Sequence, residues 1–215
     1  MPVEQHCSNI LYNETFSTQY DFTASFSYVM NTSGFTPADN YGFSVFFIDG
    51  IQPTIYGGGC YQGLGVISPT DFSTSSAVKG VFLTLGFDIP GNFSKINGLP
   101  QFSTGTVTAQ PSSICLRITS DFLYVSSVQV PYDYNLFGVF TPLSANPIPN
   151  ASQTIRIGAR NGFNQIDVYS LNSQTYQKLV SFNTNLTSIP TTAKFGIGYS
   201  GDTLFSVKNI TMNYT

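Results

Sequence analysis

The sequence predicts an all-β chain, folded as an antiparallel two-sheet jelly-roll sandwich, and three observations carry that prediction. Residues 16–30 alternate apolar and polar with period two. After them come about a dozen short apolar runs at regular spacing, with Gly, Pro, Asn, Asp and Ser between them. Helix formers are scarce, with Glu only at Glu4 and Glu14 and Lys at five positions, while 19 Phe and 13 Tyr suit a pleated, half-buried surface.

Taken in order, Phe16, Tyr20, Phe22, Ala24, Phe26, Tyr28 and Met30 share one parity, and Ser17, Gln19, Asp21, Thr23, Ser25 and Ser27 fill the other. This is one half-buried strand, or two joined by a bend. The run from Gly42 to Ile48 alternates less and ends at the turn pair Asp49-Gly50, which predicts a strand in the middle of the sandwich, and Val81–Asp88 reads the same way. Further strands are expected over 105–109, 113–118, 122–130, 154–159, 165–171, 176–182, 194–199 and 204–213. The breaks between them fall at turn residues such as Pro111-Ser112-Ser113, the 146–150 segment Asn-Pro-Ile-Pro-Asn, and Asn161-Gly162.

The 215 residues suffice for a single large sandwich spanning 1–215, with residues 1–13 as an extended N-terminal arm. Charged residues make up 9% of the chain and the net charge is -3, so no basic field exists to hold a phosphate backbone, and nucleic acid is excluded as a partner. No run of about 18 apolar residues is present to span a membrane. The first residues lack the basic start and apolar run of a secretory signal, so the sequence is read either as a mature chain or as one that leaves the cell by another route. Extracellular space or a virion surface is the expected location. Cys7, Cys60 and Cys115 match no zinc spacing. Free or buried thiols are the first reading, and one disulfide with a spare thiol is the alternative. Seven Asn-X-Ser/Thr triplets, at Asn13, Asn31, Asn92, Asn150, Asn185, Asn209 and Asn213, are what a chain rich in Asn, Ser and Thr produces by chance.

Several segments, in order, resemble the signature segments of legume-type (L-type) lectins and hence the concanavalin-A-like superfamily. The strand from Thr23 to Asn31 resembles that family's early Phe-Ser-Phe strand. Ala38-Asp39, followed after Asn40 and Tyr41 by Gly42-Phe43-Ser44-Val45-Phe46-Phe47, resembles its Ala-Asp-Gly segment. Gly57-Gly58-Gly59-Cys60-Tyr61-Gln62-Gly63-Leu64-Gly65 resembles its glycine loop, and Leu83–Asn92 its metal-binding strand and loop. Phe195–Thr203 resembles the loop that closes the sugar pocket, and Val207–Ile210 the last strand. The resemblance implies a concanavalin-A-like sandwich with carbohydrate held by Asp39, Gly58, Gly59, Asn92, Gly201 and Asp202. It also implies a metal position at Asp88, Asn92 and Asn97.

The departures from the family pattern narrow the chemistry. Gly86 stands where the family has an acid two residues before the metal Asp, and Asn97 stands where another Asp is expected. The one His, His6, is far away in sequence. A transition metal is therefore not expected. Calcium, which takes about six oxygens, is left as one reading of Asp88 and Asn92, and a loop hydrogen-bonded without metal as the other. Related glucanases work with paired carboxyls around the metal strand, but Gly86, Pro90 and Gly91 supply none, so the chain reads as non-catalytic. A sugar platform would fall to Phe93, Tyr41 or Tyr61. Two functions of different class follow: a module binding a cell-surface polysaccharide or other glycan, or a structural protein keeping the sandwich without the sugar site. The low charge and the Gly-Phe-Asp-x-x-Gly-Asn-Phe-Ser segment also resemble lectin-like domains of phages and large viruses, which would make virion proteins or further copies of the chain its partners.

Overall fold

The computed structural model of the chain describes residues 6–30, 42–53, 64–66, 77–95, 106, 108–119, 122–130, 152–172, 174–201 and 205–215. Among them run the strands β1 (His6–Ser17), β2 (Phe22–Met30), β3 (Gly42–Asp49), β4 (Val81–Asp88), β5 (Ser113–Ile118), β6 (Leu123–Gln129), β7 (Gln153–Arg160), β8 (Gln165–Asn172), β9 (Thr175–Asn183), β10 (Thr192–Gly201) and β11 (Phe205–Tyr214). They form a six-stranded sheet in the order β1-β10-β3-β4-β5-β6 and a five-stranded sheet in the order β11-β2-β7-β8-β9, with every pairing antiparallel.

The two sheets enclose an aromatic core. On β2 the expected alternation holds, with Phe22, Ala24, Phe26 and Tyr28 buried and Thr23, Ser25 and Ser27 turned outward. The outward hydroxyls pair across strands, Ser25 with Thr211 at 2.7 Å and Ser27 with Thr154 at 2.8 Å. From the six-stranded sheet, Phe43, Val45, Phe47, Leu83, Leu85, Phe87, Ile114, Leu116, Phe195, Ile197 and Tyr199 face the same core. Phe43 stacks on Phe87 with ring centroids 4.4 Å apart, and Tyr199 on Phe205 at 4.7 Å.

A second, smaller core covers the opposite face of the six-stranded sheet, where Phe46 and Ile48 of β3 and Cys115 of β5 meet Leu64, Val66, Ala77, Val78, Phe93 and Phe122. This explains the weak alternation of β3 and β4. A strand covered on both faces is not driven to alternate, so β3 and β4 carry apolar side chains toward both, interrupted on the outer face by the buried Ser44, Thr84 and Asp88.

Three expectations change. From His6 onward the stretch read as an N-terminal arm is β1, paired with β10 from His6 opposite Gly201 to Ser17 opposite Thr192. The strand expected over 105–109 reduces, among the described residues, to a single parallel bridge between Lys95 and Thr106. Of the cysteines, Cys7 is disulfide-bonded and Cys115 is a buried free thiol, so the disulfide alternative replaces the reading of free thiols throughout. The 16–30 alternation resolves into two strands, with the bend at Thr18–Asp21. Among the described residues no helix is long and apolar enough to cross a membrane.

Candidate functional site

One end of the six-stranded sheet gathers the described parts of three segments singled out from the sequence: the start of β3, the end of β4 and the end of β10. Register places Cys7 opposite Ser200, Ser200 opposite Gly42, Gly42 opposite Asp88, Asp88 opposite Ser113 and Ser113 opposite Gln129, one continuous row across all six strands. The neighbours Phe87, Ile114 and Tyr199 point into the inter-sheet core, so Asp88, Ser113 and Ser200 point to the other face. The side-chain oxygens of Ser113 and Ser200 are buried there without a hydrogen-bond partner.

Beyond Asp88 the chain turns sharply through Gly91 into a short 3-10 turn, Asn92–Ser94. Gly91 has φ 79, and a Cβ there would lie 2.0 Å from the carbonyl carbon of Gln110, so both conformation and space require glycine. The Asp88 carboxylate closes this turn by accepting the backbone N–H of Phe93 and that of Gly91. Ser94 Oγ donates to the Gly91 carbonyl at 2.8 Å, and Lys95 N–H to that of Asn92 at 3.0 Å. Asp88 is 1% exposed, and burial pushes its carboxyl up to about 7, opposed by the Phe93 and Gly91 N–H groups and by the charge of Arg117.

Arg117 lies on the same face of β5 and is 0% exposed. Its Nε donates to the Phe93 carbonyl at 2.9 Å and its Nη1 to the Phe122 carbonyl at 2.8 Å, while the guanidinium carbon sits 5.4 Å from the Phe93 ring and 5.7 Å from the Tyr124 ring. The Phe93 ring fills the space above Gly86, where a Cβ would come within 2.3 Å of it. Beside it the Cys115 thiol is pushed by burial up to about 12.

No protein-family model matches the sequence, and no curated protein matches it. Solved structures do match. The metal-free form of lectin I-B4 from Griffonia simplicifolia superposes with a TM-score of 0.60 at 14% identity, covering 97% of this chain and 80% of that one. This chain has the concanavalin-A-like fold. Lectin UEA-II complexed with galactose follows at 0.58 and 13% identity, covering 100% and 82%, and arcelin-5, a lectin-like defense protein from Phaseolus vulgaris, at 0.55 and 11%, covering 95% and 77%. At such identities the similarity is one of fold.

Within the concanavalin-A-like frame, the described residues around Asp88 do not fit the metal that the sequence resemblance implied there. Calcium takes six to eight oxygen ligands. Here the Asp88 carboxylate is engaged by two backbone N–H groups, the position two residues before it is a glycine overlaid by a phenyl ring, and the neighbouring charge is a cation. Among the described residues no group of three His, Cys, Asp or Glu side chains could hold a metal ion. His6 does return to this end of the sheet through its pairing with Gly201, but β1 lies three strands from β4, roughly 14 Å at ordinary strand spacing.

Of the carbohydrate-site candidates, Asn92 opens the 3-10 turn half-buried, and Gly201 is the last residue of β10, buried and next to Ser200 of the row. Asp39, Gly58, Gly59, Asn97 and Asp202 lie outside the described residues, as do Tyr41 and Tyr61. Phe93, considered as a sugar platform, is instead 0% exposed. Sequence reading missed Arg117. The one signal it offered was a single basic residue inside the otherwise uncharged run Ser-Ile-Cys-Leu-Arg-Ile.

Proposed function

We propose that this domain is a non-catalytic carbohydrate-binding module that takes a surface glycan at the Asp88 end of its six-stranded sheet. The observation that carries the reading is the row from Cys7 to Gln129, which brings the ends of β10, β3, β4 and β5 together beside Asn92 and Gly201. Asn92, half-buried at the start of the turn, offers an amide that can both donate to and accept from sugar hydroxyls at this end. The galactose complex of the similar lectin UEA-II is consistent with a sugar as ligand. On the outer face of β4 Asp88 is the one carboxylate, and it is engaged in closing its turn, which argues against a two-carboxyl hydrolase. The Cys7 disulfide favours an oxidising location such as the extracellular space or a virion surface.

A glycan array with and without chelator tests the reading. Binding to a defined set of glycans should weaken by about tenfold or more in Asn92→Ala, the loss of a hydrogen bond, and likewise in Asp39→Ala. The second reading, a structural or assembly protein that keeps the sandwich without sugar binding, is favoured by the internal engagement of Asp88 and the burial of Phe93. Silence of the folded protein across the array, together with self-association in solution or capture by virion proteins, would select it.

A further inference from the structure

We propose that the guanidinium of Arg117 does for the Gly91–Ser94 turn what a bound cation would do, so that the turn keeps its shape without metal. The argument begins with Phe93, which is held from both sides. Its N–H is bound by the Asp88 carboxylate, and its carbonyl accepts from Arg117 Nε at 2.9 Å. A cation placed against this turn would have two tasks: to offset the Asp88 charge and to fix carbonyl oxygens. Arg117 takes up the second task directly, since its N–H groups hold the carbonyls of Phe93 and Phe122, and it sets a positive charge on the same outer face of the sheet as Asp88.

The surroundings suit a guanidinium better than a metal ion. A buried guanidinium needs hydrogen-bond acceptors and tolerates aromatic faces, because it is planar and weakly hydrated. Two carbonyls and the rings of Phe93 and Tyr124 supply these. A divalent ion would need several free oxygens at once, and Gly86 has surrendered its side-chain space to the Phe93 ring. Arg117 is thus a positioning residue. It sets the turn on which Asn92 is carried, whether or not a glycan binds there.

The test is amide hydrogen exchange and thermal unfolding of the full chain, in EDTA and in calcium chloride. Protection of the Phe93 and Lys95 amides, and the Tm, should be the same in both. A Tm raised by calcium, or protection at Phe93 lost on chelation, overturns the proposal. Arg117→Met should then raise exchange at Phe93 and Lys95 by roughly tenfold to a hundredfold, the loss of hydrogen bonds from a charged donor, while amides of β7 and β8 stay protected. Above about pH 7, Asp88→Asn combined with Arg117→Met should recover part of that protection, because a buried Asp88 carboxylate would otherwise have to ionise with no cation beside it. Unchanged exchange in folded Arg117→Met also overturns it. Should that variant fail to fold, the comparison of EDTA with calcium on the natural chain decides alone.

Discussion

At Asp88 burial outweighs the two backbone N–H groups and the Arg117 charge, and the carboxyl ends near 7 instead of its ordinary 3.8. A folded-state value above the unfolded one means that the native chain holds a proton the unfolded chain has released. The stabilisation is complete below about pH 4 and is lost as pH rises toward 7, with a slope approaching one proton, about 1.4 kcal/mol per pH unit. Asp88→Asn, whose amide oxygen can still accept from Phe93, should flatten this segment of the pH–stability curve in urea unfolding. An unaltered slope would place the titration elsewhere. Asp167, on the five-stranded sheet, behaves oppositely: burial raises it, but hydrogen bonds from Ser181, Gln165 and Lys178 prevail and hold it below the usual carboxylate range. Its contribution is lost only in acid below about pH 4, so the two windows do not overlap.

Among the elements, β1 and β4 differ most in how they are held. β1 is an edge strand whose one strand partner among the described residues is β10, its register broken between Tyr12 and Phe16, with Ile10 53% exposed. Edge strands open most easily, and the disulfide at Cys7 restrains this one near its start. Reduction should cost about 2–4 kcal/mol in urea unfolding and raise exchange in β1 before any other strand. Equal protection of β1 with and without reductant would show that β10 alone secures it. Cys115 of β5, whose thiol is buried and pushed up to about 12, should resist alkylation until the sandwich unfolds, as peptide mapping can check.

At the scale of the whole molecule, the aromatic core couples the sheets through Phe47. Its ring lies 4.9 Å from that of Phe163, 5.5 Å from Phe22 and 5.7 Å from Phe195, so it touches both sheets and the β7–β8 turn. Phe47→Ala should cost about 3–5 kcal/mol and lower the stability of both sheets together in a single cooperative transition. Separate transitions for the two sheets would contradict a shared core. The sequence by itself determined the sandwich, because period-two patterning such as Phe22 to Tyr28, and turn residues such as Asp49-Gly50 and Asn161-Gly162, are local signals that act within a few residues. It also singled out Asp88 and Asn92, whose spacing is local. Tertiary structure alone decided that Asp88 serves backbone amides, that Phe93 lies over Gly86, and that Arg117, twenty-four residues further on, holds the Phe93 carbonyl. Such facts depend on which strands are neighbours and which face each side chain meets, and chain order does not encode either until the sheet has closed.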